Sequence, residues 1–155
     1  SEIVNMVSLT CALTSISANL FNTDTSAFSQ LGTYSKTKLA LLLFSIELSK
    51  HIKQRVNVSD PGIVNSNMLV MGHWYDAIAA VVFCPFCASP KRGARSAINA
   101  LGSNRQLNYF KGNSSKAIKK KYMKNPMREW LWEETLRQIQ QKGFELPQDF
   151  KQCPV

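Results

Sequence analysis

The chain has 155 residues, of which 45% are hydrophobic and 19% charged, and its formal net charge is +9 at pH 7. This composition excludes a disordered chain, because the apolar content is sufficient for the core of one ordinary domain. Four cysteines without regular spacing exclude a disulfide scaffold and favour a reducing compartment, so we expect a cytoplasmic protein; association with a membrane surface stays open.

The first predicted element is a short buried strand. Residues 3–7 are mostly apolar and β-branched, and Ser8 follows them directly. Because the chain begins in this strand-like run and without a methionine, we expect it to be a piece of a longer protein. Residues 11–30 are rich in Ser, Thr and Asn, and they predict a long loop with room for a short helical turn.

A long helix is predicted over residues 33–53. Tyr34 and Lys38 lie four residues apart near its start, so one helical turn places them on the same face. A nearby ammonium favours the phenolate, and we expect Lys38 to lower the pKa of Tyr34 toward the range of general acid–base catalysis. Residues 39–48 are apolar on nearly every side, which predicts burial against more than one element and also suits an interface between two copies.

A second strand is predicted over residues 55–60, and Pro61 and Gly62 end it sharply. A strand, a helix and a strand in this order predict a βαβ unit with a parallel sheet, and therefore an α/β fold. Ligands of open parallel sheets bind outside the carboxyl ends of the strands. We therefore expect Ser8, Tyr34 and the Pro61–Gly62 turn to share one crevice.

Three further elements complete the predicted domain: a helix over residues 90–101, a strand over 107–110 and an amphipathic helix over 126–142. Ser89 and Pro90 are typical of a helix start, and Gly102 is typical of a helix end. We expect one domain over residues 1–142, followed by an irregular tail over 143–155.

The order of these motifs resembles the carboxyl-terminal half of the short-chain dehydrogenase/reductase family. The resemblance rests on the strand that precedes Ser8, on the YSKTK segment from Tyr34 to Lys38, and on the VNVSDPGIVNS segment that contains Pro61 and Gly62. The long spacing between Ser8 and Tyr34 is similar to that of the retinol-dehydrogenase-like branch. The resemblance implies the carboxyl-terminal part of a Rossmann-type, doubly wound parallel sheet.

The resemblance also implies hydride transfer between a nicotinamide cofactor and a small, apolar carbonyl or alcohol substrate. Tyr34 would be the general acid or base, Lys38 would lower its pKa and bind the nicotinamide ribose, and Ser8 would hold the reacting oxygen. Residues 73–87 fall where the family places its substrate lid, and their apolar and aromatic composition suits that role.

NAD or NADP is the implied cofactor. The backbone at Pro61, Gly62 and Ile63 would line the nicotinamide, and Ser66 stands where the family usually has a threonine that contacts the carboxamide or the phosphates. None of the seven glycines forms the glycine-rich turn that holds a pyrophosphate, and the strands that carry it are missing as well. We therefore expect the longer parent protein to be the enzyme, and the isolated chain neither to bind nucleotide tightly nor to turn over substrate. We also expect an unfinished sheet edge beside the first strand.

Three other functions stay open. Cys84 and Cys87 form a CPFC motif that would suit thiol–disulfide exchange at a helix start, and a zinc site would need further ligands; we expect neither a redox nor a metal role. Basic residues over 111–121 are interleaved with Tyr109, Phe110 and Tyr122 and would suit nucleic acid, although we expect a solvated connector and no such partner. The third is a non-catalytic remnant, which the retained serine, tyrosine and lysine argue against.

Overall fold

The three-dimensional structure, a computed structural model, describes residues 1–21, 28–64 and 87–145. These residues form an α/β fold with a mostly parallel, open sheet. The strands are β1 (Glu2–Met6), β2 (Arg55–Asp60), β3 (Asn108–Lys111) and β4 (Ser114–Ala117). The helices are α1 (Gln30–His51), α2 (Pro90–Leu101), α3 (Lys120–Met123) and α4 (Met127–Gln141), and a 3₁₀ helix covers Leu9–Leu13.

The strands lie in the order β1, β2, β3, β4, with two parallel pairings followed by an antiparallel one. Helices pack on both faces of the sheet. Neighbouring residues of a strand point to opposite faces, so consecutive residues of β2 contact different helices. Val58 packs in the core beside Leu43 of α1, whereas the Ser59 hydroxyl is 2.8 Å from the Ser96 hydroxyl of α2. In the described part β1 pairs with β2 alone and forms an edge of the sheet, as predicted.

The core lies between the sheet and α1. None of residues 39–48 is exposed, and Leu42, Leu43 and Ile46 have no solvent-accessible surface. The sheet, the 3₁₀ helix and α4 all contact α1, which confirms the prediction that this stretch is buried on more than one side. Because other parts of the same chain cover it, the stretch is not exposed to a second copy.

Several predicted boundaries shift by one to three residues. The first strand covers Glu2–Met6 rather than 3–7, and β3 covers Asn108–Lys111 rather than 107–110. The long helix begins at Gln30, earlier than predicted, because the Ser29 hydroxyl accepts a hydrogen bond from the Gly32 N–H at 3.3 Å and caps the helix there. The second strand and the helix that begins at Pro90 are confirmed at their predicted positions.

Two elements were not predicted, β4 and α3. They replace the solvated connector that was expected after β3. Gly112 has a φ of +56°, which allows the chain to turn back so that Ser114 pairs with Lys111 and Ala117 with Asn108. The segment therefore extends the sheet and places Lys116 of β4 opposite Tyr109 of β3.

Among the described helices, none combines the length and the apolar character needed to cross a membrane. The last helix ends at Gln141, close to the predicted position, and Gly143 follows it with a φ of +79°. Residues 146–155 of the predicted tail lie outside the described residues, as do residues 73–86 of the predicted substrate lid.

Candidate active site

Ser8 lies just after β1 and begins the 3₁₀ helix. Its backbone is extended, and its hydroxyl oxygen accepts a hydrogen bond from the Thr10 backbone N–H at 3.3 Å. The residue is 8% exposed, and it lines a cavity at this edge of the sheet. Because the oxygen is the acceptor in this bond, the hydroxyl proton remains available for donation to a ligand.

Tyr34 and Lys38 lie on successive turns near the start of α1. The Lys38 ammonium donates a hydrogen bond to the backbone carbonyl oxygen of Met6 at 2.9 Å, and it lies 5.8 Å from the centroid of the Tyr34 ring. An ammonium at this distance is attracted to the face of an aromatic ring. Lys38 therefore links Tyr34 to the end of β1, immediately before Val7 and Ser8.

The structure brings Tyr34 and Lys38 together, but it does not join Tyr34 to Ser8. In the part of the chain that the structure describes, the two hydroxyl groups share no hydrogen bond, and the cavity beside Ser8 is not lined by Tyr34. Ser8 and the Tyr34–Lys38 pair therefore both lie at the carboxyl end of β1, but Ser8 and Tyr34 are not in direct contact.

Pro61, Gly62 and Ile63 follow β2, the strand beside β1. Gly62 has a φ of +75°, and its backbone N–H donates to the Asp60 carboxylate at 2.8 Å. Apart from the two adjoining residues, no described residue has an atom within 4 Å of the point where a Gly62 side chain would begin, and Ile63 is 41% exposed. The turn therefore presents open backbone at the carboxyl edge of the sheet. Ser66 lies outside the described residues.

A buried carboxylate at the end of β2 is a feature that the sequence analysis missed. Asp60 is 1% exposed; one carboxylate oxygen accepts from the Gly62 N–H and the other accepts from the Tyr109 hydroxyl at 2.7 Å. Desolvation raises the pKa of Tyr109 strongly, and the hydrogen bond to Asp60 raises it further. The available sequence signal was an acidic residue at the end of a buried strand, but its partner lies 49 residues away and leaves no local pattern.

Cys11 of the 3₁₀ helix belongs to the same edge. It is 3% exposed and is not in a disulfide. Burial raises the pKa of its thiol, and the negative charge of Asp60 acts in the same direction, whereas the positive charge of Lys38 opposes them. Cys11 is therefore a neutral thiol at physiological pH rather than a thiolate nucleophile.

A cavity of about 460 Å³ opens at this edge of the sheet. Its walls come from Ser8, the 3₁₀ helix, the ends of β2 and β3, the strand β4 and the helix α3. The volume lies within the range of about 300–1,000 Å³ that is typical of small-molecule sites.

The described residues include only part of the redox and zinc alternatives, and all of the basic segment of the nucleic-acid alternative. Within residues 1–21, 28–64 and 87–145, no three His, Cys, Asp or Glu side chains are grouped so that they could hold a metal ion. Cys87 is half-buried and is not in a disulfide, and Cys84 of the CPFC motif lies outside the described residues. Of the three aromatic residues in the nucleic-acid alternative, Phe110 is 4% exposed and Tyr122 is 9% exposed, whereas Tyr109 is partly exposed.

We compared the chain with models of protein families, with curated proteins and with solved structures, and none of the three comparisons found a match.

Proposed function

We propose that this chain carries the catalytic residues of an NAD(P)-dependent oxidoreductase of the short-chain dehydrogenase/reductase type, built on part of a Rossmann-type sheet. The observation that carries the proposal is the hydrogen bond of 2.9 Å from the Lys38 ammonium to the Met6 carbonyl oxygen. It holds the Tyr34–Lys38 pair at the carboxyl end of a parallel strand, which is where ligands of open α/β sheets bind.

In the proposed reaction, Tyr34 transfers a proton to a carbonyl oxygen during reduction and removes it from an alcohol during oxidation. In this proposal the Lys38 ammonium, 5.8 Å from the centroid of the Tyr34 ring, supplies the positive charge beside the reacting tyrosine. Ser8 donates its free hydroxyl proton to the same oxygen and thereby orients the substrate. The substrate class is a small, apolar carbonyl or alcohol compound.

The residues fit the nicotinamide end of such a cofactor. Among the described residues, the space beside Gly62 is open, and the exposed Ile63 follows it, so a flat ring has access to the backbone after β2. Lys38 and Tyr34 would bind the ribose, and Ser66 would contact the carboxamide or the phosphates. When bound, NAD(P) supplies or accepts the hydride. Because the sequence contains no glycine-rich turn, the affinity of the isolated chain for the whole dinucleotide should be low.

The proposal predicts that the isolated chain recognises the nicotinamide half of the cofactor without the adenine half. We expect reduced nicotinamide mononucleotide to shift the backbone amide NMR signals of Gly62, Ile63 and Lys38, with a Kd on the order of 1 mM. Adenosine monophosphate should leave these signals unchanged. Lys38→Met should weaken the nicotinamide-dependent shifts, whereas Lys36→Met, which removes an exposed lysine of the same helix, should not.

Two results would contradict the proposal. Shifts of equal size with both mononucleotides would indicate a general phosphate site. The absence of shifts at the turn after β2, with signals moving elsewhere, would place the ligand away from the proposed residues. Tight binding of whole NAD(P)H would leave the family proposal intact, but it would overturn the expectation that the adenine end has no site in this chain.

A non-catalytic remnant is the second candidate. The observation in its favour is that the Tyr34 and Ser8 hydroxyl groups share no hydrogen bond within the described residues. Under this alternative, the nicotinamide mononucleotide would not bind, and Lys38→Met would affect only the folding stability of the chain.

A further inference from the structure

The cavity at the carboxyl edge of the sheet has a polar floor. Asp60 and Tyr109 lie there, and both oxygens of the Asp60 carboxylate already accept hydrogen bonds, from the Gly62 N–H and from the Tyr109 hydroxyl. The floor therefore carries a fixed, satisfied negative charge. A ligand with a negative group is repelled from the floor and must direct that group toward the opening.

The opening of the cavity is basic. Lys111, Lys116 and Lys119 line it, and all three are exposed. In the sheet register Tyr109 lies opposite Lys116, and Asp60 lies opposite Lys111, so both lysines stand on the sheet face that carries the floor. Within the described residues, none of the three ammonium groups has an ion pair with a carboxylate.

The walls between the floor and the opening are largely apolar. Leu9 and Ala12 contribute from the 3₁₀ helix, Ala117 from β4, and the ring of Tyr122 from α3. Ser114, at the start of β4, adds a hydroxyl group near the lysines. A ligand that fits these surfaces has an apolar body for the walls and one anionic group for the opening.

We propose that this cavity binds a small amphipathic anion, with its apolar body between the 3₁₀ helix and α3 and its carboxylate, sulfonate or phosphate group on Lys111, Lys116 and Lys119. Because the three lysines and Ser114 line the same cavity, an anionic group at its opening would meet ammonium groups and a hydroxyl donor. The site does not depend on the oxidoreductase proposal, because it requires binding alone. It shares Ser8 with the proposed catalytic residues.

The test uses anilinonaphthalene sulfonate, an aromatic anion whose fluorescence rises in an apolar site, and its uncharged analogue phenylnaphthylamine. We expect saturable binding of one sulfonate probe per chain, with an affinity that falls as salt is added. Replacing Lys111, Lys116 and Lys119 together by Gln should weaken sulfonate binding about tenfold, since each exposed charge contributes roughly two- to threefold. The uncharged analogue should bind equally well to both forms.

The matched control replaces Lys120, Lys124 and Lys142 by Gln. These lysines are also exposed and do not line the cavity, so the net charge changes equally while binding should change less than about twofold. Ala12→Trp, which narrows the cavity from the 3₁₀ helix, should abolish binding of both probes. Circular dichroism of each variant should show that the fold is kept.

Equal losses in the two triple variants would overturn the proposal, because they would indicate attraction by net charge rather than a site. Binding of several probes per chain that survives Ala12→Trp would overturn it as well, by indicating an apolar surface elsewhere. The chain could instead bind single-stranded nucleic acid more tightly than the probe and lose this binding in both triple variants. That result would contradict the proposal and indicate a general surface for polyanions.

Discussion

At the scale of single residues, Asp60 organises the edge of the sheet where the candidate site lies. It receives hydrogen bonds from the turn that follows β2 and from a side chain of β3. A carboxylate with almost no exposure requires such partners, since an unpaired buried charge is costly. Asp60 thereby fixes the Gly62 turn and the Tyr109 ring relative to each other.

The Asp60–Tyr109 hydrogen bond leads to a prediction about alkaline pH. The folded protein holds the pKa of Tyr109 well above its ordinary value near 10. A pKa that is raised by folding contributes stability that is complete below that ordinary value and is lost as the pH rises above it. In an absorbance titration of tyrosinate, we expect Tyr109 to remain neutral in the folded chain at a pH where it ionises in urea.

Tyr109→Phe should remove this late tyrosine from the titration. It should also destabilise the fold at neutral pH by about 1–3 kcal/mol, because the Asp60 carboxylate loses a hydrogen bond. The titration of the variant could instead lack a tyrosine that ionises near pH 10 in the folded wild-type protein. In that case the contact with Asp60 does not raise the pKa of Tyr109.

The residues of the proposed catalytic site could be named from the sequence, whereas their neighbours could not. Tyr34 and Lys38 form a pattern because helical geometry is local, and their proximity follows from the spacing of four residues. The contact of Lys38 with Met6 spans 32 residues, and the contact of Asp60 with Tyr109 spans 49. Such contacts depend on how strands and helices pack, which no local spacing records.

At the scale of elements, α2 packs closely against the turn after β2. This packing positions the protein backbone that is proposed to line the nicotinamide ring. A Cβ atom on Gly93 would lie 2.6 Å from the Val64 side chain and 3.5 Å from that of Pro61. Only glycine therefore allows the helix to approach the turn so closely. The buried Ser59–Ser96 hydroxyl pair, at 2.8 Å, joins β2 to the same helix.

Gly93→Ala should therefore destabilise the chain by about 1–3 kcal/mol, although alanine favours a helix, because the added methyl group overlaps Val64. Urea unfolding measures the change. In a Val64→Ala background the same substitution should cost much less, since the overlapping atoms are gone. Equal costs in both backgrounds would show that the helix, rather than the contact, is sensitive to the substitution.

The hairpin that carries the basic opening of the cavity was not predicted because its second strand has an unusual composition. Ser114, Ser115 and Lys116 have low strand propensity, and the segment contains no apolar alternation. The strand forms because it adds to the existing edge of β3. Pairing with a neighbour, rather than local preference, decides its structure.

At the scale of the whole molecule, a buried ion pair connects α1 to α4. The Glu47 side chain is 4% exposed and that of Arg128 is 12% exposed, and the Arg128 guanidinium binds both the Glu47 carboxylate and the Met123 carbonyl oxygen. Lys50 lies 3.0 Å from the same carboxylate but is nearly half-exposed. Arg128 therefore joins the central helix to the last helix and to the end of α3.

Arg128→Met should destabilise the chain by about 3 kcal/mol, because the buried Glu47 carboxylate loses its buried partner. The matched control is Arg137→Met, which breaks an exposed pair on α4 that lowers the pKa of Glu134 to about 2, and which should leave stability nearly unchanged. Urea unfolding of both variants provides the measurement. A second substitution, Glu47→Leu, should recover much of the loss in Arg128→Met; if it adds to the loss instead, the pair is not the cause.

The sequence by itself determined the α/β class, the parallel pairing of the first strands and the identity of the Tyr34–Lys38 pair. These depend on hydrophobic periodicity, turn residues and helical spacing, which are local properties of a chain. Only the tertiary structure decided the Asp60–Tyr109 contact, the Glu47–Arg128 pair and the cavity with its three lysines. Their partners are distant in sequence, and only the register of strands and the packing of helices bring them within reach of one another.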